Sequence, residues 1–225
     1  MNRVVLKKTA AFLSALLTTC SAVACGSTAG STGKSDCTET TMTVETIVVE
    51  EKAAAGLDMN SVYDEVHGLY RQITETLIEK QMTVTTMESC TAGLIASLIT
   101  DTDGSSAVMR GAFVTYSNET KIKQGVPEEV IEEFGVYSEE TACAMAEACR
   151  EAYDTNLGVG ITGTLGRVDP GNPDSVSGEV YFAIADDSGV NGYKVVLEPQ
   201  PDRFSTKLAA AKLVGQKLYE AIKNK

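Results

Sequence analysis

Ser89 stands in "MESCTAG" (87–93), where the Thr-rich apolar run "TVTTM" (83–87) gives way to the helix-like "LIASLIT" (94–100). A Ser at a strand-to-helix turn can cap the helix. It can also attack an electrophile, because free backbone N–H groups at a helix start favour developing negative charge. As a nucleophile it needs a base. The chain has a single His, His67, in the middle of an upstream helical pattern. His67 reads as a solvent-facing or helix-contact residue, which argues against a Ser-His-Asp triad. A Lys can serve instead if burial or nearby positive charge lowers its pKa. Lys121, after "TYSNET", is the candidate. Taken alone, Lys121 reads more readily as a surface Lys on a short helix. Glu88 is expected to hold the turn, and Cys90 to be a buried small residue.

The elements that must position these groups follow from periodicity. Val62, Val66, Leu69, Ile73, Leu77 and Ile78 recur at helical spacing, with Asn60 or Ser61 as a cap. "TVTTM" reads as a strand, followed by a helix beginning near Ser89. "GAFVTYS" (111–117) is a second strand. "PEEVIEEFG" is a short helix bounded by Pro127 and Gly135. Ser138 caps a helix over "SEETACAMAEACREAY". "LGVGITG" is apolar enough for a central strand, and "GEVYFAIAD" with "GYKVVLE" reads as a hairpin. "RFSTKLAAAKLVGQKLYEAIK" is a long closing helix. Helices interspersed with strands predict an α/β fold, a three-layer α/β/α sandwich with a mixed five-stranded sheet. Ligands in such sheets gather at the carboxyl ends of strands. "ESC", "TYSNETK" and "TGT" all fall at such ends.

Among 225 residues the net charge is -12, which argues against a nucleic-acid partner but not against a local anion pocket. The six Cys include no C-x-x-C pair, and neither a metal site nor a disulfide framework is read from them. The first 25 residues have a basic start (Arg3, Lys7, Lys8), a short apolar stretch and "SAVACGS", which resembles a bacterial lipoprotein processing box with Cys25 as the lipidated residue. Residues 26–56 are rich in Ser, Thr, Gly and Glu and read as a flexible tether, within which "TMTVETIVVE" could form a stray strand. The globular domain is expected over 57–225.

"ESCTAG", "GSSAVMRGAFVTYSNETKIKQGV", "GVYSEETACAMAEACRE", "GVGITG" and "SGEVYFAIAD" occur in order and spacing that resemble the CinA C-terminal domain family over roughly residues 60–222. That family includes PncC-type nicotinamide mononucleotide deamidases. The resemblance implies metal-independent hydrolysis of the carboxamide of nicotinamide mononucleotide, to nicotinate mononucleotide and ammonia, by a Ser-Lys pair without a cofactor. Ser89 matches the family's nucleophile and Lys121 its base. Tyr116 matches an active-site Tyr that orients Lys121 or donates to the intermediate; by itself it reads as a strand aromatic in the core. Thr162 and Gly163 match a pocket-lining turn, and Arg203 the first Arg of an anion-binding segment. Three departures put the substrate in question. Lys207 replaces the second Arg, Ala92 replaces a Gly, and the loop "TGTLGRVDPGNPDSVSG" brings in Arg167 and Asp169.

The export-like start favours an alternative, a catalytically inactive, surface-anchored binding protein that keeps the fold. Membrane attachment is expected only through the N-terminal lipid anchor. Translation from Met59 would instead give a cytoplasmic enzyme. The expected partner is a small-molecule nucleotide substrate; the sequence leaves the amide cleaved and homo-oligomer formation open.

Overall fold

The structure is a computed structural model and describes residues 43–48, 59–172 and 175–225, with the backbone alone for 43–48, 59 and 60. Cys25, its leader and most of the expected tether lie outside the described residues.

One sheet carries the fold. Its strands are β1 (Thr43–Val48), β2 (Val84–Glu88), β3 (Met109–Val114), β4 (Leu157–Gly163), β5 (Glu179–Asp186) and β6 (Gly189–Val196). Their order is β1-β6-β5-β4-β2-β3. The five expected strands form a mixed sheet. β2 runs parallel to both β3 and β4, β5 is antiparallel to β4, and β5 and β6 make the expected hairpin. The stretch "TVETIV" adds a sixth strand, parallel to β6 at the sheet edge, so part of the expected tether is ordered backbone.

The helices are α1 (Met59–Glu79), α2 (Leu94–Thr100), α3 (Asn118–Lys123), α4 (Glu128–Phe134), α5 (Glu139–Tyr153) and α6 (Arg203–Lys223). Alternation along β4 sorts them into layers. Leu157, Val159 and Ile161 face a core shared with Val66, Tyr70 and Ile73 of α1, Ile95 and Ile99 of α2, and Leu208, Val214 and Leu218 of α6. Gly158 and Gly160 face the other way, against α5. A Cβ on Gly160 would lie 2.2 Å from the Ala142 carbonyl oxygen, so glycine lets α5 lie directly on the strand. Met87 of β2 meets Met145 and Cys149 of α5 on that same face. The Tyr70 hydroxyl, buried in this core, donates to Ala211 O at 2.8 Å, tying α1 to α6.

The chain leaves β2 through α2 on one face to reach β3. It returns through α5 on the other face to reach β4, on the opposite side of β2. The end of β2 is therefore a topological switch point, where an open α/β sheet leaves a crevice. Strand directions put the carboxyl ends of β2, β3, β4 and β6 on the same side, with the start of α6 and the β4–β5 loop.

Candidate active site

The turn that follows β2 is built by Glu88. Its buried carboxylate accepts from the hydroxyls of Thr86 (3.1 Å) and Thr91 (2.7 Å), and from the amides of Gly93 (2.9 Å), Ile95 (3.2 Å) and Ala96 (2.8 Å). Those amides are the unpaired donors at the start of α2. The helix therefore begins at Leu94 and not near Ser89 as expected; residues 89–93 form a tight turn with Ala92 at φ 54° and Gly93 at φ 92°. The helix amides go to Glu88, so they are not the donors that would meet an oxyanion at Ser89. Within the turn, Ala92 N–H donates to Ser89 O at 3.2 Å, while the amides of Cys90 and Thr91 lie against the Cys90 thiol and, among the described residues, donate to no backbone oxygen.

Lys121 comes from the next strand end. After β3, Ser117 caps α3: its hydroxyl accepts from Thr120 N–H (3.3 Å), and the Thr120 hydroxyl oxygen accepts from Ser117 N–H (3.1 Å). This reciprocal cap starts a one-turn helix whose fourth residue, Lys121, points inward. Lys121 is 1 % exposed, which makes it a core residue in place of the surface Lys its local sequence suggests. Its Nζ lies 3.1 Å from Ser89 Oγ and donates to Thr115 O at 2.9 Å. The pair is 32 positions apart in the chain. Burial pulls the Lys121 ammonium down from its ordinary 10.5 to about 8, with Cys90 opposing weakly. Among the described residues no carboxylate pairs with it. Cys90, also buried, has its thiol pushed up to about 12 by burial and by Glu88, so it is a protonated neighbour and not a rival nucleophile.

Ser89 opens onto two adjoining cavities. The larger, about 630 Å³, is lined by Ser89, Tyr116, Tyr137, Gly163, Asp169 and Arg203 among others. The smaller, about 270 Å³, holds Ser89, Lys121, Tyr137 and Asp169 but neither Arg167 nor Arg203. Gly163 forms part of the wall at φ 142°, a conformation that L side chains avoid. Thr162 faces away: it is fully buried, and its hydroxyl donates to Val136 O at 2.9 Å, fixing the α4–α5 loop beside the site.

Tyr116 is 64 % exposed at the cavity mouth, which excludes the core-aromatic reading. Its hydroxyl accepts from the Arg203 guanidinium at 3.1 Å, so it meets Arg203 and not Lys121. Arg203 itself is the first residue of α6, after the cap Asp202, whose carboxylate accepts from Ser205 N–H at 2.8 Å. Lys207, one turn on, lines neither cavity. His67 pairs with Asp101 at 3.1 Å, at the end of α2, and lines neither cavity.

Two contributors escaped the sequence reading. Thr115 holds Lys121 through a backbone carbonyl, which no side-chain motif records. Tyr137 reaches the site from the residue before the α5 cap, where nothing periodic distinguishes it; its position just before Ser138 was the available signal.

The model of the CinA C-terminal domain matches residues 66–220. The chain belongs to the CinA C-terminal domain family. A CinA-like protein of Gemmatimonas aurantiaca is 36% identical over 143 residues, which is 63% of this chain and 33% of that protein. A CinA-like protein of Fervidobacterium nodosum is 37% identical over 136 residues, 60% of this chain and 31% of that one. The chain thus spans about a third of the length of these relatives. Among solved structures, the competence/damage inducible protein CihA from Agrobacterium tumefaciens superposes with TM-score 0.63 at 31% identity, covering 71% of this chain and 96% of that one. A CinA superfamily protein from Escherichia coli superposes with TM-score 0.66 at 24% identity, over 74% and 94% of the two chains, and shares the fold. The CinA C-terminal domain here is therefore a mixed-sheet α/β sandwich with Ser89 and Lys121 at its switch point.

Proposed function

We propose that this CinA C-terminal domain is a metal-independent amidohydrolase that cleaves the carboxamide of nicotinamide mononucleotide, with Ser89 as nucleophile and Lys121 as base. The observation that carries the reading is the 3.1 Å approach of Lys121 Nζ to Ser89 Oγ inside a wall that nearly excludes solvent from the amine. Near pH 8 about half of such a group is uncharged. In that form the hydrogen bond reverses, and Ser89 O–H donates to the Nζ lone pair.

Attack then follows. Ser89 Oγ forms a bond to the carboxamide carbon while its proton moves to Lys121 Nζ. The amides of Cys90 and Thr91, engaged only by the weakly accepting Cys90 sulfur, would turn to the tetrahedral oxygen. Lys121 returns the proton to the leaving nitrogen, and ammonia departs with the C–N electron pair. Water, deprotonated by Lys121, clears the acyl-enzyme and regenerates Ser89. Thr115 O holds the amine in line through each step. Arg203, braced by Tyr116, and Arg167 supply positive charge for a phosphate in the larger cavity, whose volume of about 630 Å³ suits a mononucleotide.

The test is ammonia release from nicotinamide mononucleotide by the wild type and by Ser89→Ala. Clear release by the first, with a loss on the order of 10³-fold or more in the second, is expected. Equal rates, or none from either protein, would remove this reading.

A further inference from the structure

The two cavities at Ser89 are charged differently. Arg167 and Arg203 line the larger one only, whereas Asp169 lines both and reaches the Lys121 side. The Asp169 carboxylate is fixed in place: it accepts from the Tyr137 hydroxyl at 2.7 Å, from Asn172 Nδ2 at 2.7 Å and from Gly171 N–H at 3.0 Å. Its own amide donates to Ser175 Oγ at 2.9 Å. These donors hold the carboxyl below its ordinary range, so it stays ionised at neutral pH. Burial and the bond to Asp169 hold Tyr137 above its ordinary range, so it remains a neutral donor with an intact ring.

Three of roughly four lone-pair directions on the carboxylate are used by neutral donors and, among the described residues, none by a cation. At the reacting end two carboxylates, Asp169 and Glu119, face the one Lys121 amine, so the charge there is net negative and is most so when Lys121 is neutral. The Tyr137 ring beside Asp169 presents a second, weaker attraction for positive charge. A neutral amide gains little from either. A carboxamide whose ring carries a positive charge gains from both, while its anionic end is drawn to the arginines.

Resting on the amidohydrolase reading above, we infer that Asp169 and Tyr137 form a charge-selecting element that prefers a carboxamide borne on a cationic N-alkylated pyridinium over the same carboxamide on a neutral ring. Asp169 is thereby a specificity residue brought by the unusual β4–β5 loop, and the site as a whole reads a zwitterion, cation at Ser89 and anion at Arg203.

Nicotinamide mononucleotide and its 1,4-dihydro form share carboxamide, ribose and phosphate and differ in ring charge. Their kcat/KM values are compared in the wild type, Asp169→Asn and Tyr137→Phe. Their affinities are compared by calorimetry in Ser89→Ala and in Ser89→Ala/Asp169→Asn, which needs no turnover. The expected result is that Asp169→Asn lowers the oxidised-to-reduced ratio about tenfold in both measurements, with the reduced compound nearly unaffected, and that Tyr137→Phe lowers it less. An equal loss for both compounds means that Asp169 only supports the loop, and an unchanged ratio means that it does not sense the ring; either overturns the inference. Absence of ammonia release from both compounds by the wild type, with the affinity ratio still shifted, would instead remove the hydrolytic reading and leave the charge selection standing.

Discussion

With Lys121 1 % exposed and donating to Ser89 Oγ and Thr115 O, its charged form has lost most of its water and, among the described residues, gained no counter-ion. That arrangement has a cost in stability as well as a use in catalysis. The folded pKa of about 8 lies below the ordinary 10.5, so between those values the unfolded chain binds more protons than the folded one. Stability contributed by this group therefore rises as pH increases from about 8 to about 10.5, by roughly 3 kcal/mol at most. Below about 8 the charged amine is an unfavourable resident of the fold. Denaturant unfolding at pH 8 and pH 10 should show this rise in the wild type and its loss in Lys121→Met, the difference between the two proteins isolating the one group. Lys121→Arg should retain positive charge and lose activity on the order of 10³-fold, because a guanidinium does not deprotonate in this range. A rate within about tenfold of wild type in Lys121→Arg would mean that the proton goes elsewhere. Ser89 and Lys121 were legible through their resemblance to a family pattern. From local sequence alone Lys121 was a surface residue, since its burial comes from a non-local fact, the way α3 is turned inward at the end of β3.

At the level of elements, the site depends on a turn that sequence periodicity misplaces. "TAGLIASLIT" has helical content from its first residues, but the Glu88 carboxylate captures the amides of Gly93, Ile95 and Ala96 and delays the helix to Leu94. Glu88→Gln would set an amide donor against five donors; it should cost about 2–3 kcal/mol in urea unfolding and lower turnover through a loosened Ser89 turn. In the same turn Ala92 sits at φ 54°, a left-handed conformation that costs a residue with a Cβ. Ala92→Gly should therefore stabilise the protein by about 0.5–1 kcal/mol, raising the melting temperature by a few degrees. A lower melting temperature in that variant would mean that the Ala92 methyl makes a contact outweighing the strain. Most of the remaining elements were readable because their signals are local: Ser138 as a cap, Gly135 as a stop, and a turn-rich run between β5 and β6. The role of Gly160 was not readable, because it depends on how closely α5 lies over β4.

Across the whole molecule, the sheet order separates chemistry from the chain's early residues. β1 lies at one edge and β6, β5 and β4 stand between it and the Ser89 strand. A chain starting at Met59 should lose the edge strand and some stability while keeping ammonia release within about twofold of the full chain, as expected for distant, independent parts of a fold. Loss of release with an otherwise folded protein would tie β1 to the site. The net charge of -12 hides a local division, arginines in the larger cavity only and Asp169 extending into the smaller one beside Lys121, that composition could not convey. The central claim is that a buried, partly neutral Lys121 deprotonates Ser89. Its most direct measurement is the pH dependence of kcat/KM for ammonia release from nicotinamide mononucleotide between pH 6 and 10. The expected profile climbs about tenfold per pH unit at low pH and levels off above a midpoint near 8. A flat profile, or a midpoint near the ordinary lysine value of 10.5, would contradict it.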